Sequence, residues 1–389
     1  MPKKPDTAAI LRAEAPLVAG VVTTVFFFTV GKDWAAQFHY PVMTGLLFAW
    51  LFAVMVWCAF GVVRHAEVLG DYLGEPYGTL ILTIAVISIE VTIMATVMLG
   101  GGPNPTLPRD TVYAVLMIVL NGMIGASVVV GALRHKQQQY NLQGALAFLA
   151  VISCLAVVSL VVPTYTTSTP DQSLTALQSV AFAVLTVLLY GGFLGIQTMR
   201  HRTFFVEAAS APAAKPARRR GAKAAQAAHQ VEHVHHPATY AIPVHAGLLV
   251  ATLLPVVLLS KPLAKVIDYG LEELMAPAAI GGILIAILVL SPEGLTAFQA
   301  ARHNQLQRSV NLSLGSALST IGLTIPTMLA ISLLAGIPLE LGLPAAETIL
   351  LVLTLFISQM TFSGAPTNIL LGSVHLVLFA AFLVLIFNP

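Results

Sequence analysis

Charge is the scarcest commodity in this chain. Asp, Glu, Lys and Arg make up only 9% of its 389 residues, while 57% are hydrophobic. A soluble domain carries about 25% charged residues, so a water-soluble fold is excluded and a polytopic membrane protein is implied. Cysteine is nearly absent too: Cys58 and Cys154 both fall in apolar runs, which excludes a disulfide framework and leaves them as small core residues. Period-two alternation is missing, which excludes an outer-membrane barrel. No His-Glu-x-x-His and no paired Asp occur within the apolar runs, so the groups an intramembrane enzyme needs are not there.

What remains is long apolar stretches, with a mean hydropathy of +0.86. Runs of about 20 apolar residues read as membrane-spanning helices. Hydropathy places helices near 15–31, 43–63, 68–99, 110–133, 142–162, 175–198, 243–260, 274–301, 310–335, 345–363 and 366–387. The first follows Lys3, Lys4 and Arg12 but lacks a small-x-small cleavage site, so it reads as an anchor rather than a signal peptide. With the N-terminus inside, fifteen of the 19 Lys and Arg residues face the cytoplasm, and only Lys32, Arg109, Lys261 and Lys265 lie outside. That asymmetry sets the N-terminus in and the C-terminus out.

One long connection interrupts the pattern. Residues 200–242 are rich in Ala, Pro, Lys and Arg and end in the His-rich run His229 to His236. This composition cannot build a core and reads as a cytoplasmic linker. It divides the chain into an N-terminal helix (1–42), a first half (43–199) and a second half (243–389). Each half has five helices, and in each the second helix carries Ser-x-Glu: Ser88-Ile89-Glu90 and Ser291-Pro292-Glu293. The next helix of each carries small residues, Asn121-Gly122-Met123-Ile124-Gly125 and Gly315-Ser316-Ala317-Leu318-Ser319. By loop charge the Glu90 helix runs outward and the Glu293 helix inward. The expected fold is therefore all-α, with about eleven transmembrane helices: two inverted five-helix repeats plus an extra N-terminal helix. Such inverted repeats place a substrate site at the membrane midplane.

A carboxylate inside an apolar helix costs several kcal/mol, on the order of 3 or more, unless it has a partner, and so marks an ion or proton path. Inverted symmetry would bring Glu90 and Glu293 together. With oxygens from Ser88, Ser291, Asn121 and Ser316 they form the hard ligand set that Ca²⁺ or Na⁺ prefers. Carboxylates withdrawn from water also compete for protons. Cation and proton at one alternating-access site are sufficient for antiport. Pro292 either breaks its helix and frees carbonyls for a cation or makes an ordinary kink.

Other polar residues carry two readings each. Glu75, in Gly74-Glu75-Pro76-Tyr77-Gly78, either draws cations into a vestibule or is a solvated helix-start residue. Thr296, Gln299 and Arg302 could line a path from Glu293 to the cytoplasm, and Ser319 extends the small-residue face. His375 and Gln359 fit a proton relay or hydrogen-bonded packing. The His229–His236 cluster could hold a soft metal such as Zn²⁺ or be plain linker. Arg218-Arg219-Arg220 could touch anionic lipid or serve only orientation.

These residues resemble the calcium/cation antiporter superfamily. Its two repeats each carry an acid at a Ser-x-Pro-Glu-type motif, followed by a Gly-Ser helix. The second repeat is matched over 281–326, through Ser291-Pro292-Glu293, Asn304, Asn311 and Gly315-Ser316-Ala317, and the first over 73–131. Gly-Glu-Pro-Tyr-Gly with the downstream Ile-Glu-Val, and Ser-Pro-Glu-Gly-Leu-Thr-Ala, are most similar to the bacterial ChaA-type branch of calcium, sodium or potassium/proton antiporters. The resemblance implies a bacterial inner-membrane protein that exports cations against inward protons, with Glu90 and Glu293 as the cation-binding acids. It implies no resident cofactor, no enzyme activity and no nucleic-acid partner; the partners are transported ions and membrane lipid. Two departures stand out. Ile89 replaces the usual Pro and Asn121-Gly122 the usual Gly-Ser, so the half-sites are expected to differ. The linker is basic and His-rich where relatives are acidic, so acidic-loop Ca²⁺ regulation is not expected. A passive cation channel and a monovalent-only antiporter are the alternatives.

Overall fold

The computed structural model describes residues 12–31, 41–73, 77–100, 105–169, 173–200, 240–364 and 366–388. Among them every regular element is helical, and the only extended pairings are two isolated bridges, Gln138 with Thr367 and Ser173 with Glu340. Eleven rods follow one another: α1 (Ala15–Thr29), α2 (Pro41–Leu73), α3 (Tyr77–Leu99), α4 (Leu107–His135), α5 (Leu142–Tyr165), α6 (Ala176–Gly195), α7 (Ile242–Glu273), α8 (Ala279–Arg302), α9 (Leu306–Ala335), α10 (Ala345–Thr361) and α11 (Ile369–Phe387). Nine are long and apolar enough to cross a membrane, and α1 and α10 are shorter apolar helices.

Several ends are written into the sequence. The Asn141 side chain accepts from the backbone N–H groups of Gln143 and Gly144 at the start of α5. Thr175 and Gln178 form a reciprocal capping box at α6, and Asn368 caps α11 through the Leu371 N–H. Each satisfies N–H groups that a helix start leaves unpaired.

Two helices are longer than hydropathy predicts. The expected breaks after 63 and after 260 do not occur: α2 continues through Arg64, His65, Glu67 and Asp71 to Leu73, and α7 continues through Lys261, Pro262, Lys265 and Asp268 to Glu273. Hydropathy reports where a helix stops being apolar, whereas backbone hydrogen bonding carries a helix on into polar surroundings. Arg109, expected in an outer loop, lies in the first turn of α4 and is only 8% exposed. Its Nε donates to Asp110 Oδ1 and its Nη1 to the Gly342 carbonyl, both at 2.8 Å. Pro292 does not break α8, which is helical on both sides of it.

The rods assemble by close backbone approach, as expected where lipid offers little hydrophobic driving force between helices. α2 packs along α7 and α3, and α1 lies against α2 and α7. α4 is held between α8 and α11. At the α4–α8 crossing a Cβ on Gly282 would come within 2.8 Å of the Thr111 nitrogen. At the α4–α11 crossing a Cβ on Gly372 would meet the Gly125 carbonyl at 2.9 Å. Only glycine allows these approaches, and together they set how α4 is rotated between the glutamate helix α8 and the last helix α11.

Candidate functional site

Glu90 sits on α3, 1% exposed. Its Oε2 accepts a hydrogen bond from Thr320 of α9 at 2.9 Å. The hydroxyl of Thr324, one turn on, is buried with no partner, and so is Glu90 Oε1. Glu293, on α8, is half-buried and accepts through Oε2 from the Ser316 hydroxyl, also of α9. No ion pair among the described residues reaches either; those present join Glu14 to Arg64 and His65, and Arg109 to Asp110.

α9 is thus the element that serves both acids. It does so because Ser309, Ser313, Ser316, Thr320 and Thr324 recur at helical spacing and share one face. All five are buried. The helix also widens into a π-turn over Thr320–Thr324, a feature that recurs at functional sites. Thr320 and Thr324 were not among the residues singled out from sequence. The hydroxyl periodicity from Ser309 to Thr324 was the available signal.

The other expected site residues divide into three groups. Ser88 and Ser291, each two residues before its glutamate, donate back to the carbonyls of Ile84 and Ile287 one turn earlier. Ser319 likewise donates to the Ser316 carbonyl at 3.0 Å. The donors are used within the helix, while lone pairs on the oxygens remain. Asn121 lies in a matching π-turn, Ile118–Met123 of α4, but its amide turns toward α10 and α11. Nδ2 donates to Thr354 at 2.9 Å and Oδ1 lies 3.1 Å from His375 Nδ1. His375 Nε2 is 3.0 Å from the Thr361 hydroxyl, a network in which the ring carries hydrogen at Nδ1 and accepts at Nε2. Asn121 and His375 therefore meet each other rather than the glutamates. Gln359 bonds Ser153, and Gln299 is exposed. Glu75, the His229–His236 run and Arg218–Arg220 lie outside the described residues.

Two carboxylates, one of them with an unpaired oxygen, and the hydroxyls of Ser316, Thr320 and Thr324 are an all-oxygen set with no ion-paired base among the described residues. Such a set suits a hard cation or protons. The sodium/calcium exchanger protein family profile matches residues 43–199 and 244–388. The chain belongs to that family. It is 35% identical to the sodium-potassium/proton antiporter ChaA of Escherichia coli (strain K12) over 376 residues, 96% of each chain. It is 42% identical to the putative ionic transporter y4hA of Sinorhizobium fredii over 331 residues, 84% of each. The solved structure of the Ca²⁺/H⁺ antiporter protein YfkE superposes with a TM-score of 0.70 at 18% identity, covering 97% of this chain and 99% of that one, which establishes a shared fold. This exchanger is accordingly a multi-pass membrane protein and a secondary transporter of the ChaA type, not an enzyme.

Proposed function

We propose that this exchanger exports cytoplasmic Ca²⁺, and with it Na⁺ or K⁺, in exchange for external protons, by alternating access around Glu90 and Glu293. The observation that carries the reading is the shared use of α9: both acids are held by its hydroxyls, without a Lys or Arg, and Glu90 Oε1 is left unpaired. A buried acid oxygen with no partner is costly unless something occupies it. A cation satisfies it when bound, and a proton satisfies it on the return half of the cycle. Occupation by one excludes the other, which is what couples the two fluxes.

The architecture proposed around that site is two inverted five-helix repeats, 43–199 and 243–389, with 1–42 as an added helix and 200–242 as a cytoplasmic linker. In support, each half has a glutamate helix followed by a helix widened at a π-turn, α3 then α4 and α8 then α9. The loop charges support an N-terminus inside and a C-terminus outside, in the inner membrane of a bacterium. The relatives' names divide between sodium or potassium and calcium, so the cation is decided by experiment. In everted vesicles, Ca²⁺, Na⁺ and K⁺ added separately should each be scored for release of a respiration-driven pH gradient. Release by Ca²⁺ and by at least one monovalent ion is expected. Release by monovalent ions alone would reduce the proposal to a Na⁺(K⁺)/H⁺ antiporter, and cation flux without proton movement would make it a channel.

A further inference from the structure

A second titratable cluster lies apart from the glutamate pair, where the start of α1, the later part of α2 and the first turn of α7 meet. His65 is 1% exposed and His245 is 4% exposed. Their Nδ1 atoms are 3.0 Å apart. The opposite nitrogen of His65, Nε2, is 3.2 Å from Glu14 Oε2 and 3.1 Å from Arg64 Nη2. Arg64 also donates to Glu14 Oε1 at 2.9 Å. His245 Nε2 is buried without a partner, and the Tyr240 ring meets the His245 imidazole edge-on with centroids 5.4 Å apart. Burial first, and the Glu14 carboxylate second, push the Tyr240 phenol up from its ordinary value, so it stays a neutral lid.

Two ring nitrogens at this separation bond only if one carries hydrogen and the other offers a lone pair. With both rings neutral, one N–H bridges the gap. With one proton added, His65 Nε2 gives up the hydrogen that Arg64 Nη2 offers it and donates to Glu14, Nδ1 still donates to His245, and the contact between the rings survives. A second added proton sets N–H against N–H and breaks it. The charged groups that act on the pair are Glu14 from α1 and Arg64 from α2. The ring nitrogens are turned on one another and on the carboxylate, so the ligand this geometry takes is a proton.

The contact is placed to matter. It bridges α2 and α7, which open the two halves, and ties both to α1. The same α1 is seated nearby through Gly20, where a Cβ would meet Cys58 Sγ of α2 at 2.7 Å and Pro255 of α7 at 2.8 Å. We propose that Glu14, His65 and His245 form a second proton-binding site, separate from the transport pair, whose double protonation from the cytoplasmic side parts α2 from α7 and slows exchange. A transporter that imports protons is thereby braked when the cytoplasm is already acid.

The test pairs histidine ¹⁵N NMR of the full chain in detergent with cation self-exchange at equal pH on both sides, over roughly pH 5 to 9 around the ordinary His value. Lines assigned with His65→Gln and His245→Gln should titrate in two separated, coupled steps. Glu14→Gln should move the first step to lower pH and Arg64→Met to higher pH, each by about one unit. Opposite signs are not what simple damage produces. His245→Gln should keep exchanging at acid pH where the wild type slows. Independent single-step titrations, same-direction shifts from Glu14→Gln and Arg64→Met, or an unchanged acid limb in His245→Gln would each overturn the proposal.

Discussion

The two glutamates each sit on a helix followed by one widened at a π-turn, yet live in different surroundings. Glu293 is served from within its own half, by Ser316 on the next helix. Glu90 is served across the molecule, by Thr320, 230 residues away. The helix that follows Glu90 has turned its polar residue elsewhere, since Asn121 is occupied by Thr354 and His375. One helix, α9, therefore holds both acids, while its counterpart α4 acts as a packing element. Two helices widened by similar π-turns thus put their polar side chains to different uses. In the proposed site, α9 is then the working wall and α4 a structural one.

That asymmetry can be attacked from several directions. The largest effect belongs to the acids themselves. Glu90→Gln and Glu293→Gln should each lower exchange in everted vesicles by more than about a hundredfold, as expected when the charge that binds the ion is removed, with membrane insertion unchanged. Full transport by either variant would end the two-glutamate proposal. Next come the hydroxyls of the working wall. Thr320→Val and Ser316→Ala each remove a hydrogen bond to a carboxylate, worth about 1.5–3 kcal/mol, so apparent cation affinity should fall about ten- to a hundredfold. Thr320→Ser should restore it. Equal indifference to both changes would show that α9 is not the serving helix.

The structural wall should answer differently. Asn121→Ala leaves buried His375 and Thr354 without a partner, at a cost of about 1–3 kcal/mol. Its mark should be a lower unfolding temperature in detergent, with apparent cation affinity held within a few fold. A large affinity loss without destabilisation would return Asn121 to the ion site. The smallest effect is expected at Pro292. Because α8 is already helical through this position, Pro292→Ala should change transport rates by no more than about threefold, less than 1 kcal/mol in barrier. A complete loss would mean that the missing N–H is part of the mechanism.

Acidification provides a separate check on the working wall. Protons and cations compete for the same oxygens, so lowering pH on the cation-loading side should weaken apparent cation affinity while leaving the saturated rate at high cation nearly constant. The weakening should set in at higher pH in Thr320→Val than in the wild type, because the carboxylate has lost a donor that favours its ionised form.

Much of this was legible in the chain. Apolar run length and low charge were enough for an all-α membrane protein, and the cost of a buried carboxylate was enough to single out Glu90, Glu293 and, through spacing, Ser316. The extensions of α2 and α7 were not legible, because hydropathy marks polarity and not where hydrogen bonding ends. Thr320 and Thr324 were missed although their spacing with Ser313 and Ser316 was in view; hydroxyls are common in membrane helices, and only contact with Glu90 separates these from the rest. Asn121 was grouped with the acids by sequence position, and the direction of its side chain was beyond any pattern.

Sequence by itself determined the membrane class and the order of the helices, and it nominated the two acids proposed as the site, because each follows from transfer free energy, which is a property of residues taken locally. The tertiary structure alone decided which helix faces which acid. An apolar helix such as α3 has no polar face to announce its rotation, so rotation is set where backbones touch. Gly282 against Thr111 and Gly372 against Gly125, with the π-turns of α4 and α9, aim Thr320 at Glu90 and Asn121 at His375.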